Sequence, residues 1–232
     1  MYFYGFTVWD LVLILPALLF AMYAQMKVKS TYGRFSQMHS ARGLTGAQVA
    51  RQILDDNGLY DVPVEHISGQ LTDHFDPRSR VVRLSDGVYG SDSIAAIGVA
   101  AHECGHAVQY QQNYSPMRLR AAIIPITNIG STLAIPLVLI GYVMSIQPLV
   151  TIGIVGFSAV ALFQLVTLPV EFDASARAMR TIREKGILYD SEAAGARKVL
   201  SAAAMTYVAA LLTAVAQLLR LILVFGNRNN RN

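Results

Sequence analysis

Residues 121–170, "AAIIPITNIGSTLAIPLVLIGYVMSIQPLVTIGIVGFSAVALFQLVTLPV", contain no Asp, Glu, Lys or Arg. A helix needs about 20 apolar residues to cross the hydrocarbon of a bilayer. Fifty uncharged residues in a row therefore hold two crossings and a tight turn, which falls at "SIQP", residues 145–148. A water-soluble hairpin of that length without one charge is the poorer reading.

Working outward, the chain of 232 residues is 53% hydrophobic and 15% charged, a composition unusual for a soluble domain. A third uncharged run covers residues 199–219 and continues past Arg220 to Phe225. The first 26 residues carry one charge, Asp10, and their apolar body is "LVLILPALLFAMYAQM". No basic residue precedes that body and no small-residue cleavage site follows it, so it reads as a retained anchor and not a removable signal. The expectation is four membrane helices: 1–26, two within 121–170, and 199–225. Residues 226–232 read as a disordered tail.

Ten of the nineteen Lys and Arg lie between residues 27 and 120, and six more between 177 and 198. Basic loops stay in the cytoplasm, so both segments are expected there and the N-terminus outside. Arg228 and Arg231 run mildly against this, because four spans put the C-terminus outside as well. The net charge of +4 follows from the same asymmetry. No basic run is interleaved with aromatics, so no nucleic-acid partner is expected.

The segment 27–120 is long enough for a water-facing domain. "TGAQVARQILDDNGL" predicts a helix capped by Thr45 and closed at Asn57-Gly58. "VPVEHISGQL" and "RVVRLSDGVY" predict strands, with "TDHFDPRS" as the turn between them. The second of these strands is expected to be an exposed edge on which a peptide could dock by strand addition, or else a plain structural strand. "SDSIAAIGVAAHECGHAVQYQQ" predicts a helix capped by Ser91 or Ser93, whose apolar part is too short to span. "EFDASARAMRTIREKG" predicts a further helix stopped at Gly186, and "DSEAAGARKVL" begins one that runs into the last span. The fold class is thus a mainly α membrane protein (α+β), with about four transmembrane helices. A small cytoplasmic domain holds a short sheet and the His-Glu-x-x-His helix.

That helix carries "HECGH", residues 102–106, in a chain with five histidines and five glutamates. At these frequencies one such match by chance is expected about two times in a thousand. Residues i and i+4 share a helix face, so His102 and His106 can offer both imidazoles to one zinc ion. Glu103 is turned roughly 100° away, beside the metal without binding it. There it can act as general base toward a water that zinc activates. Gly105 and Ala101 keep the helix slim enough for a partner helix or substrate to come close. Cys104, the single cysteine, excludes a disulfide framework and reads as a small buried hydrophobe.

A catalytic zinc site needs a third protein ligand and an open fourth position. Glu171 is the first charge after the fifty-residue run. It emerges where the third span ends, at the surface where the second begins, so the membrane hairpin would return it to the histidines. Two residues are candidate donors to the oxyanion of the tetrahedral intermediate. His74 in "TDHFDP" is either such a donor or a turn histidine held by Asp73 and Asp76. Tyr110, four residues after His106, is either a donor or an interfacial tyrosine. Arg220 inside the last span is expected to pair with Asp10.

The order of a His-Glu-x-x-His helix, a membrane hairpin and a Glu opening a further helix resembles the gluzincin membrane peptidases. More closely, "LTDHFDPRSRVVRLSDGVY" followed by "SIAAIGVAAHECGHAVQY" resembles the YugP-like family of bacterial membrane zinc peptidases, and the resemblance covers nearly the whole chain. It implies a multi-pass bacterial plasma-membrane protein acting on protein or peptide substrates. It also implies His102, His106 and Glu171 as zinc ligands and Glu103 as catalytic acid/base. Relatives of the stress-protease type often carry an Asp four residues after the third ligand. Here Ser175 stands there and the nearby carboxylate is Asp173, which leaves open what orients the histidines. Two other readings are an intramembrane-cleaving protease whose zinc helix is itself a span, and a non-catalytic adaptor stabilised by a closed zinc site.

Overall fold

The computed structural model describes residues 8–226, so the tail expected beyond Gly226 lies outside the described residues. Among the described residues, four helices are long and apolar enough to cross a bilayer: Asp10–Phe35, Ser115–Val143, Gln147–Glu184 and Asp190–Gly226. The first is α1 (Leu15–Phe35) preceded by a π-helical stretch, Asp10–Ile14. The second and third are α5 (Ser115–Val143) and α6 (Gln147–Glu184), and the fourth is α7 (Asp190–Leu221) followed by a π-helical stretch, Ile222–Gly226. The chain divides into two compact units.

One unit comprises the chain up to Gln25, Arg118–Leu168 and the chain from Thr206. Here α5 and α6 form the expected hairpin, turning at residues 144–146 with Ser145 at φ 59. Their backbones touch: a Cβ built on Gly130 would stand 2.4 Å from the Gly156 carbonyl oxygen, and one on Gly153 2.6 Å from that of Ala134. Small residues at such crossings let dispersion contacts replace the hydrophobic effect that lipid cannot supply. Leu18, Leu19, Ile126, Ile129, Leu133, Ile152, Val155 and Leu162 are exposed, an apolar surface that suits lipid and not water. Arg220 Nε donates to Asp10 Oδ1, so these two charges neutralise each other as expected.

The other unit comprises Met26–Met117 and Pro169–Met205. Its first element after α1 is α2 (Gly46–Asp56), started by a capping box in which the Thr45 hydroxyl accepts from Gln48 N–H and the Gln48 side chain accepts from Thr45 N–H. Three short strands follow, β1 (Val64–His66), β2 (His74–Asp76) and β3 (Val81–Leu84), then the short helix α3 (Asp86–Tyr89) and α4 (Ile94–Gln111). Ser93 caps α4 by accepting from Ala96 N–H. Fourteen of the eighteen residues of α4 are buried, so it is covered on nearly every face, as an apolar helix in a core must be. Val49, Ile53 and Leu54 of α2, Val82 and Leu84 of β3, and Ile182 and Ile187 pack in the same cluster.

Four expectations are corrected. The sheet order is β1-β3-β2, so β3 is the central strand and β2 is the edge. β1 runs parallel to β3, and β2 antiparallel to it, with Phe75 opposite Val82. The stretch read as a plain turn contains β2, because the three residues before Pro77 suffice to form an edge; "DGVY" closes into α3 instead of extending β3. Finally, "EFDASARAMRTIREKG" is not a separate helix. Pro169 lies inside α6, which continues unbroken to Glu184; a proline removes one backbone donor, a loss that long membrane helices tolerate. Gly186, at φ 55, is where the chain does turn.

The β2–β3 hairpin is fastened by Asp76, whose carboxylate accepts from Ser79 Oγ at 2.6 Å, Arg78 N–H at 2.9 Å and Arg83 Nη1 at 3.1 Å. The Ser79 hydroxyl first, then the Arg78 amide and Arg83, holds its acidity well below the usual carboxylate range. A carboxylate that releases its proton more readily folded than unfolded stabilises the fold above its unfolded pKa and loses that effect as pH falls. Thermal unfolding followed from pH 7 into the acid range should therefore show an acid-dependent loss below pH ~4. Asp76→Asn should lower the Tm at neutral pH and flatten that loss.

Candidate metal centre

All residues of the centre lie in the unit built around α4. Three turns of local sequence set the stage: Ala101, Cys104 and Val108 point into the core, which turns His102 and His106 toward α6. Gly105 makes the approach possible, since a Cβ there would meet the Ala174 carbonyl oxygen at 2.7 Å. The slim surface expected at Gly105 thus receives a helix, not substrate.

Across that contact the two imidazoles converge on Glu171. His102 Nε2 is 3.3 Å and His106 Nε2 3.5 Å from Glu171 Oε2, and the rings stand nearly perpendicular with centroids 4.7 Å apart. Glu171 is 2% exposed. The potential ligand atoms of these three residues all lie within 4.8 Å of one another. Atoms bound tetrahedrally at about 2.0–2.1 Å from one zinc ion are about 3.3 Å apart. Two neutral imidazoles and one carboxylate are also a donor set of the catalytic type, which leaves a fourth position open. The residues fit a zinc ion.

Each histidine is held from behind. His106 Nδ1 lies 3.0 Å from Gln109 Oε1. The orientation of that amide is fixed by its other end: Gln109 Nε2 donates at 2.8 Å to the Val170 carbonyl and at 2.8 Å to Asp173 Oδ2. With both amide hydrogens used on acceptors, Oε1 must accept, so His106 carries its proton on Nδ1 and directs a lone pair from Nε2. Asp173 in turn accepts from Arg177 Nε, and Arg177 Nη1 donates at 2.6 Å to Gln112 Oε1 beyond the end of α4. His102 Nδ1 lies 3.1 Å from Ser175 Oγ. The position that holds Asp in the stress-protease pattern therefore reaches a histidine here through a hydroxyl, while Asp173 acts through Gln109. Sequence reasoning missed Gln109; its place three residues after His106, on the same helix face, was the available signal.

Glu103 is buried, and the Phe75 backbone N–H donates to its Oε2 at 3.0 Å. In an antiparallel pair, a residue whose N–H points away from its partner strand turns its carbonyl away as well, so Phe75 presents the free edge of β2 to Glu103. The remaining predicted residues are placed differently. His74 is exposed, and its Nδ1 donates at 2.8 Å to the Thr72 carbonyl. Its neutral ring then carries a lone pair on Nε2, so donating from there requires the imidazolium. Neither neighbouring aspartate holds it: Asp73 accepts from Ser85 N–H and Oγ–H, and Asp76 serves the hairpin. Tyr110 packs its ring against Phe75, with centroids 5.8 Å apart and the planes tilted by 56°. Cys104 is fully buried with its thiol on the Ala50 carbonyl, and burial pushes its acidity far from a reactive thiolate.

A family described as "Putative neutral zinc metallopeptidase" matches residues 10–226. The chain is also 50% identical over 220 residues to a Bacillus subtilis (strain 168) protein named "Putative membrane protease YugP", covering 95% of this chain and 98% of that one. The chain belongs to the YugP-like zinc metallopeptidase family. No solved structure gives a significant match. Family membership agrees with the four apolar helices and makes this a membrane protein of the zinc protease type. In this YugP-like chain, Gln109→Leu should leave all three candidate ligands in place yet free the His106 ring. Zinc affinity, measured by competition with a chelator, should drop about 10–100-fold, the usual effect of losing such a support.

Proposed function

We propose that this protein is a membrane-anchored zinc endopeptidase that hydrolyses peptide bonds, with His102, His106 and Glu171 as zinc ligands and Glu103 as general base and acid. One observation carries the reading: each Nε2 atom stands at about a tetrahedral-edge distance from the same Glu171 oxygen. Bound there, zinc supplies Lewis acidity toward water and the scissile carbonyl. Glu103 takes the proton of the attacking water as its oxygen bonds to the carbonyl carbon. It then delivers that proton to the amine nitrogen as the C–N bond breaks. The Phe75 N–H fixes one Glu103 oxygen, Oε2, which leaves Oε1 to carry the proton. His74 as imidazolium, or the Tyr110 hydroxyl, is the proposed donor to the oxyanion. Substrate docks as an extended strand along the free edge of β2, whose position next to Glu103 replaces the docking strand expected from sequence.

The two alternatives lose support. An intramembrane-cleaving enzyme would carry its zinc helix as a span, whereas α4 is wrapped by α2, the sheet and the polar-ended parts of α6 and α7 within one core. A closed structural site needs a fourth protein ligand, and among the described residues the group holds three. The basic segments, read by the positive-inside rule, support a centre on the cytoplasmic side of a bacterial plasma membrane. Glu103→Gln should retain one zinc per chain by metal analysis and lose cleavage of a membrane-protein substrate by about 10²–10⁴-fold or more. Glu171→Ala should lose the metal itself. Equal turnover by Glu103→Gln and the parent chain would remove Glu103 from the chemistry.

A further inference from the structure

Away from the metal centre, a groove of about 960 Å³ opens between α1 and α7. Its walls are two single helix faces: Lys27, Ser30, Thr31 and Arg34 at helical spacing on α1, and Asp190, Ala194, Arg197, Lys198, Ser201, Ala202 and Met205 on α7. Arg183 and Phe35 complete it. Five cations thus face one carboxylate. Asp190 is itself accounted for, since it sits in the first turn of α7, where a helix N-terminus favours negative charge. The carboxylates nearby are engaged elsewhere: Glu192 accepts from Ala41 and Tyr189 N–H. Among the described residues, no ion pair involves Lys27, Arg34, Arg183, Arg197 or Lys198.

Five like charges around one groove repel one another, and keeping them there without an anion is unfavourable. The groove's other surfaces narrow the anion's identity. Ala194, Ala202, Met205 and Phe35 supply an apolar floor beneath the cations. Lys27 directly follows the apolar run of α1, which ends at Met26, and Ala202 and Met205 lie within that of α7, which begins at Val199. Arginines form planar forks that match phosphate oxygens, and basic pockets at the ends of membrane helices are suited to lipid headgroups.

We propose that this groove binds the phosphate headgroup of an anionic phospholipid, with Arg34, Arg197 and Lys198 on the phosphate and the alanine–methionine floor against the acyl chain. The site is independent of the peptidase reading. The test uses the full chain purified in nonionic detergent, with bound lipid counted by native mass spectrometry. Phosphatidylglycerol should be retained over phosphatidylcholine. The triple variant Arg34→Gln, Arg197→Gln, Lys198→Gln should weaken that retention at least about tenfold. A control variant, Lys29→Gln with Arg180→Gln, removes equal-sign charge near the groove without lining it and should keep the preference. Unchanged zinc content in both variants shows that the fold is intact. Equal retention of the two lipids, or equal losses in the triple and control variants, would overturn the site. Displacement of phosphatidylglycerol by millimolar inorganic phosphate would make free phosphate the ligand and overturn the lipid assignment.

Discussion

The contact between Gly105 of α4 and the backbone of α6 at Ala174 governs the centre. Two imidazoles on one helix can meet a carboxylate from another only if the helices approach more closely than ordinary side chains allow. A Cβ at Gly105 would stand 2.7 Å from a carbonyl oxygen, so any larger residue forces the helices apart. That separation would draw Glu171 away from Nε2 atoms now 3.3 and 3.5 Å distant. The geometry of the candidate metal centre is therefore a consequence of backbone packing before it is a matter of ligand chemistry.

Behind that contact, polar groups form a connected series that runs from half-buried Arg177 and Asp173 to buried Gln109 and His106. Arg177, Asp173, Gln109 and His106 form one path and Ser175 and His102 another. Buried polar groups are costly unless satisfied, and here each satisfies the next while fixing a ring orientation. The division of labour is unequal. The Gln109 path pins the protonation of His106, because an amide with both hydrogens spent can only accept at its oxygen. A serine hydroxyl can donate or accept, so Ser175 positions His102 without dictating its tautomer.

The sheet makes a small but functional contribution. Three strands of three or four residues would not be stable in isolation; they persist because β3 is sandwiched in the core formed with α2 and α4. Their value lies in where the free edge falls. By putting β2 outermost, the fold turns the outward-facing Phe75 N–H toward Glu103 and fixes one oxygen of that carboxylate.

Much of this was legible in the sequence. Fifty uncharged residues dictate a membrane hairpin because no polar environment would accept them, and a His-Glu-x-x-His helix carries its own geometry, since i and i+4 must share a face. Thr45 and Ser93 read correctly as caps for the same local reason. What sequence left undecided was set by contacts between segments distant along the chain. The strand order could not be read because the apolar pattern of "RVVRLSDGVY" fits a central strand and an edge equally well; only its pairing with β1 on one side and β2 on the other distinguishes them. The continuity of α6 was hidden because the first charge, Glu171, marks where the apolar run ends, and a change of composition does not show whether the helix itself stops there. Gln109, 64 residues from Asp173 in the chain, gains its role only when α4 meets α6. Local periodicity fixed the elements and the two histidines, whereas tertiary packing alone chose what stands behind them, because orientation of a ring depends on partners that no local rule brings near.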